Sequence, residues 1–408
     1  MSNIRCLYVA MMDVLSGGNN RRYEFLKRSG KFGVDYIPVL ESVTYPTALK
    51  SYPDLPTLMS QLGGYTIRMR DTLFRPFYYS NILKAAEKIA IIARKEKVDL
   101  IASVHESFDT LQAVRIASEI CKIPWTVIMN VNPIVSDVTS VFSLSRIEEV
   151  ARTSGVSMPM ALFKFARLRV MVGALSKTLS LSASSSINYE LKFFEPRLSV
   201  RVLDPPGGIE PAWFEAEPES CGCDAMFFAR LDPKKGIFEL PYIWKKVTEE
   251  IPGAKLGVAG PWSSEDNRLK FNSLCAELQV GRSIVSLGLL PRNLLRSYLK
   301  SVRLMVYPSF ADAFPIVVVE SLACGVPVVT YNINPIRFNY GNYRAVIRIE
   351  PRNREQMAKA IIEVLHDDNF KKSISSEAIR FASKYTWENA VKEEASAFRD
   401  VLSFFNDR

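Results

Sequence analysis

Short apolar runs that alternate with longer amphipathic stretches constrain this chain more than any other feature. In the first half the runs are Ile4–Ala10, Val34–Leu40, Asp99–Ser103, Trp125–Met129, Thr178–Ser182 and Val200–Leu203, with helical periodicity near Arg21–Arg28, Asn81–Lys95 and Leu111–Cys121 between them. Apolar runs of strand length joined by amphipathic crossovers are the signature of βαβ units around a parallel sheet buried on both faces. Asp204-Pro205-Pro206-Gly207-Gly208 breaks the series and reads as a linker. A second series follows, with strands predicted at Ala225–Ala229, Lys255–Ala259, Ile284–Leu287, Leu304–Tyr307 and Pro327–Tyr331. Its helices are predicted at Ile237–Glu249, Glu265–Leu278, Arg292–Lys300, Pro315–Cys324 and Glu355–Leu365. The expected fold class is α/β, with two doubly wound domains and a cleft between them. Ligands of open α/β sheets sit beyond the carboxyl ends of the strands, so the strand-to-helix loops are where function is sought.

A length of 408 residues allows two or three domains with their own cores, and the 19 Gly and 23 Pro are scattered, which excludes collagen-like and low-complexity chains. The six cysteines include one close pair, Cys221 and Cys223, and there are two histidines, so a zinc site is not expected and a reducing cytoplasmic location is. The first apolar run is broken by Asp13 and reads as a strand and not a signal peptide; no run is long enough to span a membrane. Residues 1–204 carry 26 Lys and Arg against 18 Asp and Glu, whereas the remainder carries 26 against 25. Excess positive charge confined to one half points to an anionic partner for that half, such as a phospholipid surface, a phosphate-bearing acceptor or nucleic acid, or to a merely solvated basic surface.

The segment Pro308 to Pro327 carries the densest signal. Gly325 fits a helix end and Pro315 the first helical position. Between them only Glu320 and Ser321 are neither apolar nor small; a carboxylate there needs a partner, either a ligand hydroxyl or an Arg, unless it snorkels to solvent. Asp312 precedes the helix, whose first-turn N–H groups attract phosphate oxygens. A second loop, Phe228 to Gly236, sets Arg230 and Lys235 just past a strand, where a guanidinium fork and an ammonium suit a diphosphate. There is no G-x-x-x-x-G-K-[ST] loop, no G-x-G-x-x-G after the first strand and no D-x-D. P-loop hydrolysis and dinucleotide redox chemistry therefore lack their usual phosphate cradles.

These residues resemble the retaining nucleotide-sugar glycosyltransferases of the GT-B type, with two Rossmann-like domains, in glycosyltransferase family 4. Asp312 to Val329 is similar to that family's E-x7-E signature and its A-x-G-x-P-V-V strand, and Phe228 to Gly236 to its G-R-L-x-x-x-K-G loop. Leu256 to Gly260 and Val285 to Gly288 resemble its nucleotide-side turns, and Gly208-Ile209-Glu210 its interdomain N-G-V-D. The resemblance implies that Arg230 and Lys235 neutralise a donor diphosphate, Glu320 binds ribose hydroxyls and Asp312 contacts the transferred sugar. It further implies nucleotide contacts from Gly260, Leu287, Gly288 and the helix start Phe314, Pro315, Ile316 and Val317, with Gly17 and Gly18 approaching from the other domain. His105, in Val104-His105-Glu106, resembles the family's H-x-H-E region and is read either as an acceptor contact or as a packed residue. Two positions depart from the pattern: Asp312 stands for the first Glu, and Asn130 stands where a His often ends the strand.

The domains expected are residues 1–204 on the acceptor side, 205–384 on the nucleotide-sugar side, and a final helix in 385–408 that the resemblance returns to the first domain. The reaction implied is transfer of a sugar from a nucleoside diphosphate sugar to an acceptor hydroxyl with retention, with no cofactor and no obligatory metal. A nucleotide-sugar epimerase and a non-catalytic sugar-nucleotide binder are the alternatives. Nucleic acid is not an expected partner; the acceptor is open. The basic stretch Met158 to Val172, with Lys164, Arg167 and Arg169 among Phe and Met, is read either as lying on an anionic membrane at its inner face or as a helix packed on the sheet with a cationic outer face.

Overall fold

The computed structural model describes residues 3–12, 17–69, 78–131, 157–341, 343–367 and 369–407. The chain forms two compact units: one holds the chain up to Gly208 together with the segment from Trp387 onward, the other Ile209–Thr386.

The first unit is built on seven strands: β1 (Ile4–Ala10), β2 (Val34–Glu41), β3 (Tyr65–Ile67), β4 (Leu100–Ser103), β5 (Trp125–Met129), β6 (Ser180–Ser182) and β7 (Val200–Val202). They lie in the order β3-β2-β1-β4-β5-β6-β7, every pairing parallel. The centre of the sheet is buried on both faces, with Leu7, Val9, Ile101 and Val127 inaccessible. Gly17 and Gly18 open the helix Gly17–Leu26, so the helix expected near Arg21 starts four residues earlier and includes the Gly-Gly pair. The final helix, Trp387–Asn406, packs in this unit. Its Glu394 is buried, accepts a bond from Tyr36 Oη at 2.8 Å and pairs with the Arg21 guanidinium at 2.5 Å. Trp387 meets Phe25 edge-on, and Phe398 meets Tyr36.

The basic stretch forms the helix Met158–Leu175, packed on the helix Phe108–Cys121; the preceding residues 147–156 lie outside the described residues. Arg169 faces outward as expected, but Arg167 does not. Arg167 lays its guanidinium 4.6 Å over the Phe108 ring, and the outward side is largely apolar, with Met158, Met160, Leu162, Phe163 and Val170 exposed beside Arg169. A cation–π contact turns Arg167 from the expected outer cation into a packing residue. Among the described residues no helix is long and apolar enough to cross a membrane.

The second unit has six strands, β8 (Ala225–Phe228), β9 (Leu256–Ala259), β10 (Ile284–Gly288), β11 (Leu304–Tyr307), β12 (Val328–Tyr331) and β13 (Val346–Ile349), in the order β10-β9-β8-β11-β12-β13. All pairings are parallel. Numbered from its own first strand this is the order 3-2-1-4-5-6 of dinucleotide-binding folds, and it reverses direction between β8 and β11. The chain enters and leaves the unit side by side: Ile209 and Thr386 form a parallel bridge, and Ile209 N–H donates to Tyr385 O at 2.8 Å. Two Rossmann-like α/β units are thus present, as the apolar runs predict.

Candidate functional site

The reversal between β8 and β11 opens a crevice at the carboxyl ends of those neighbouring strands, and the two loops singled out in the sequence are the ones that leave them. After β8 the backbone is held at Leu231, whose N–H donates to Pro261 O at 2.9 Å and whose carbonyl accepts from Ser263 N and Oγ. Asp232 then accepts from Lys234 N–H at 2.8 Å and closes a short 3-10 turn, Pro233–Lys235. Gly236 follows at φ +78°, and a Cβ placed on it would lie 1.9 Å from Pro308 O. Only glycine permits that backbone and that approach. Phe310 N–H donates to Lys234 O at 2.9 Å, so the two loops are joined main chain to main chain.

This joining brings Lys235 to Asp312. The ammonium Nζ stands 2.6 Å from Asp312 Oδ2 and donates to Ala311 O at 3.1 Å. Asp312 Oδ2 also accepts from Tyr307 Oη at 2.5 Å, while Oδ1 accepts from Ala313 N–H at 2.8 Å. Burial, reinforced by the Asp312 charge, raises the Tyr307 hydroxyl well above its usual range, so it remains a proton donor. Both oxygens of the carboxylate expected to meet the sugar are therefore engaged. Arg230 is not drawn in: its side chain is 61% exposed, and its guanidinium lies 3.5 Å from Asp232.

The helix after β11 is Ile316–Ala323, and Pro315 is its N-cap rather than its first residue. A proline at the cap leaves its carbonyl to receive Val318 N–H at 3.0 Å and Tyr340 Oη at 2.7 Å. Phe314 packs its ring against Tyr340 and Tyr385. At the far end Gly325, at φ +69°, donates to Leu322 O while Val326 N–H donates to Ser321 O, the paired bonds of a Schellman cap. Ile316 and Val317 form the first turn, whose N–H groups lack helical acceptors and favour a nearby negative charge.

Glu320 is buried in that helix, 7% exposed, and burial raises its carboxyl to about 7 even though Arg292 lies beside it. Arg292 Nη1 is 3.8 Å from Glu320 Oε1 and 3.3 Å from Glu210 Oε1, and Arg296 Nη1 holds Glu210 Oε2 at 2.9 Å. Of the partners weighed for this carboxylate, an arginine is present, at a distance too long for a hydrogen bond. On the other side of β8, Gly260 adopts φ +141°, with Ala229 O only 1.8 Å from a would-be Cβ, and donates to Gly288 O at 2.8 Å. Leu287 packs inward on the core, while Gly288, at φ +65°, has nothing within 4 Å of its missing side chain.

In the first unit His105 follows β4. Its Nδ1 accepts from Ser107 N–H at 3.0 Å, leaving Nε2 as the donor nitrogen. Next to it Glu106 is buried, its carboxyl raised by desolvation against the pull of Arg22, and Oε2 accepts from Asn130 N–H at 3.2 Å. Arg22 itself donates to Val104 O and Asn19 Oδ1. Sequence reasoning reached His105, Glu106 and Asn130 but missed Arg22, and in the second unit it missed Tyr307, Arg292 and Arg296. Tyr307 reads only as the last residue of a strand; the one signal available was a polar ring at the carboxyl end of an otherwise apolar run.

Residues 223–381, within the second unit, match the family model described as glycosyl transferases group 1. An uncharacterized glycosyltransferase of Methanocaldococcus jannaschii is 31% identical over 178 residues, 43% of this chain and 45% of that one. The D-inositol 3-phosphate glycosyltransferase of Acidothermus cellulolyticus is 26% identical over 226 residues, 50% of this chain and 48% of that one. The matched region spans about half the length of these curated relatives. In fold the chain is similar to a glycosyltransferase from Rickettsia africae, with a TM-score of 0.72 at 16% identity over 98% of this chain and 99% of that one. It is similar also to an Anabaena protein crystallised with UDP and glucose, with a TM-score of 0.68 at 15% identity over 98% of this chain and all of the other. The two-unit α/β architecture is that of the GT-B glycosyltransferases.

Proposed function

We propose that this protein is a retaining glycosyltransferase that takes a sugar from a nucleoside diphosphate sugar and attaches it to an acceptor hydroxyl. The observation that carries the reading is the meeting of Lys235 and Asp312 at the β8/β11 reversal, next to the free first turn of the helix Ile316–Ala323. The Lys235 ammonium, an exposed guanidinium at Arg230 and a helix N-terminus together suit a diphosphate leaving group. Their fixed positive potential stabilises the charge that develops on it as the glycosidic bond breaks. Glu320 takes the ribose hydroxyls, and Gly260, Leu287 and Gly288 line the nucleoside side. Deprotonation of the acceptor by the departing phosphate needs no separate base, and no metal is assigned.

In this reading Asp312 has a role that its partners define. It holds Lys235 over the crevice, so that the ammonium is shared with the diphosphate when donor arrives. The names of the relatives favour transfer over epimerisation or mere binding. In the first unit, the exposed Met158, Met160, Leu162, Phe163 and Val170 beside Arg169 support contact with an anionic lipid surface. A thermal-shift panel of nucleoside diphosphates and their sugars tests the donor assignment, because a ligand of the native state raises Tm by mass action. At least one such compound should raise it, and free nucleoside diphosphate should then accumulate when an acceptor is added; a panel without any shift overturns the assignment.

A further inference from the structure

The loop that leads into β8 carries two cysteines, Cys221 and Cys223, separated by Gly222 at φ +69°. The bend folds Cys223 Sγ back over its neighbour, where the Cys223 thiol donates to Cys221 O at 3.6 Å. Both residues are partly exposed, and nothing lies within 4 Å of the open side of Gly222, so the pair is reachable from solvent. Behind it, Gly257 leaves the room that the Cys223 sulfur occupies: a Cβ there would lie 3.2 Å from Sγ. The loop is fixed by Glu219 N–H, which donates to Ser297 O at 3.1 Å. Positions two apart are at most about 7 Å from Cα to Cα, and a bend shortens this into the span a disulfide bridges.

We propose that Cys221 and Cys223 are a dithiol–disulfide couple that reacts with low-molecular-weight disulfides such as glutathione disulfide. Cys221 is the attacking sulfur. The neighbouring Cys223 thiol holds it below the ordinary thiol range, whereas burial raises Cys6, Cys121, Cys275 and Cys324. The Cys221 thiolate attacks one sulfur of the reagent, the reagent's S–S bond breaks, and one glutathione thiolate leaves. Cys223 is the resolving sulfur: it gives its proton to water, attacks Cys221 Sγ in the mixed disulfide and displaces the second glutathione thiolate. The protein loses two electrons and two protons, and the reagent is reduced to two thiols. This site stands apart from the glycosyl-transfer reading and does not depend on it.

The test is incubation of the full chain with glutathione disulfide at neutral pH, alkylation of the remaining thiols and mass analysis. The expected product lacks two hydrogens, is linked between Cys221 and Cys223 and is reversed by dithiothreitol. Cys223→Ser should stop at a glutathione adduct on Cys221, and Cys221→Ser should leave Cys223 unmodified. At neutral pH, Cys223→Ala should slow alkylation of Cys221 severalfold, because the thiol returns toward its ordinary range and its thiolate fraction falls, partly offset by greater intrinsic nucleophilicity. Two free, alkylated thiols in the treated wild type, or a glutathione adduct on Cys221 that Cys223 never resolves, would overturn the proposal.

Discussion

Lys235 and Asp312, 77 residues apart in sequence, meet with Nζ 2.6 Å from Oδ2, and Tyr307 Oη holds the same carboxylate oxygen. The contact exists because Gly236 lets its loop pass against Pro308. It couples the cation expected to meet a diphosphate to the carboxylate expected to meet a sugar, within one crevice of the second unit.

Replacing Gly236 by Ala should therefore damage the site through the backbone. A Cβ would meet Pro308 O at 1.9 Å and would have to sit at φ +78°. Accommodating both costs on the order of 2–4 kcal/mol or displaces the loop. Denaturant unfolding should show the stability loss, and nucleoside diphosphate binding should weaken even in the fraction that stays folded. Unchanged stability and binding would show that the two loops are not rigidly joined.

Glu320 should make stability and ligand affinity depend on pH in opposite senses. Its carboxyl is raised from the ordinary 4.5 to about 7 in the folded protein, chiefly by burial, with Arg292 and Arg296 opposing and Glu210 adding. The folded state then holds a proton that the unfolded state has lost. Stability is fullest below about 4.5 and falls until about 7, by about 3 kcal/mol in all. Glu320→Gln should flatten that slope in denaturant melts and leave the protein more stable at pH 8. Donor affinity should rise in wild type between pH 6 and 8 as the carboxylate forms and accepts ribose hydroxyls, and the variant should lack that part of the rise. A variant that melts lower at every pH would mark Glu320 as a structural ion-pair member.

Activity should persist in EDTA. In the proposed reading Lys235, Arg230 and the first turn of the helix Ile316–Ala323 supply the positive charge and dipole that a diphosphate needs. Loss of turnover in the chelator with recovery on adding magnesium or manganese would contradict the charge assignment.

Binding to anionic vesicles should depend on the apolar outward side of the helix Met158–Leu175 as much as on its charge. Phe163→Ser with Arg169→Gln should reduce co-sedimentation with phosphatidylglycerol vesicles at low salt, the cation contributing about 1 kcal/mol. Arg167→Gln should act mainly on stability, because its guanidinium lies over Phe108. Wild-type protein that does not sediment at low salt would remove the membrane from this account.

What the sequence made legible follows from burial. Strands sealed on both faces, such as β1, β5 and β11, read directly as apolar runs, and the Pro315 and Gly325 boundaries follow from backbone chemistry. β3 has three residues, and β13 has Arg348 within it, so neither gives a period to read. Contacts between loops distant in sequence were illegible for another reason. Nothing local to Tyr307 or Arg292 announces that one will grip Asp312 and the other will stand beside Glu320. Arg167 misled because a cation among aromatics reads the same whether it faces water or a ring.

The most direct test of the account is calorimetric titration of UDP, the nucleotide bound by the Anabaena neighbour, and of other nucleoside diphosphates into wild type and Lys235→Ala. A charge-assisted bond contributes about 1.5–3 kcal/mol, so the variant should bind roughly 10- to 150-fold more weakly while melting within about 1 kcal/mol of wild type. Equal affinity in the two proteins would show that the Lys235–Asp312 pair is structural and that the diphosphate, if bound, is held elsewhere. Absence of binding to wild type across the whole panel would contradict the donor site itself.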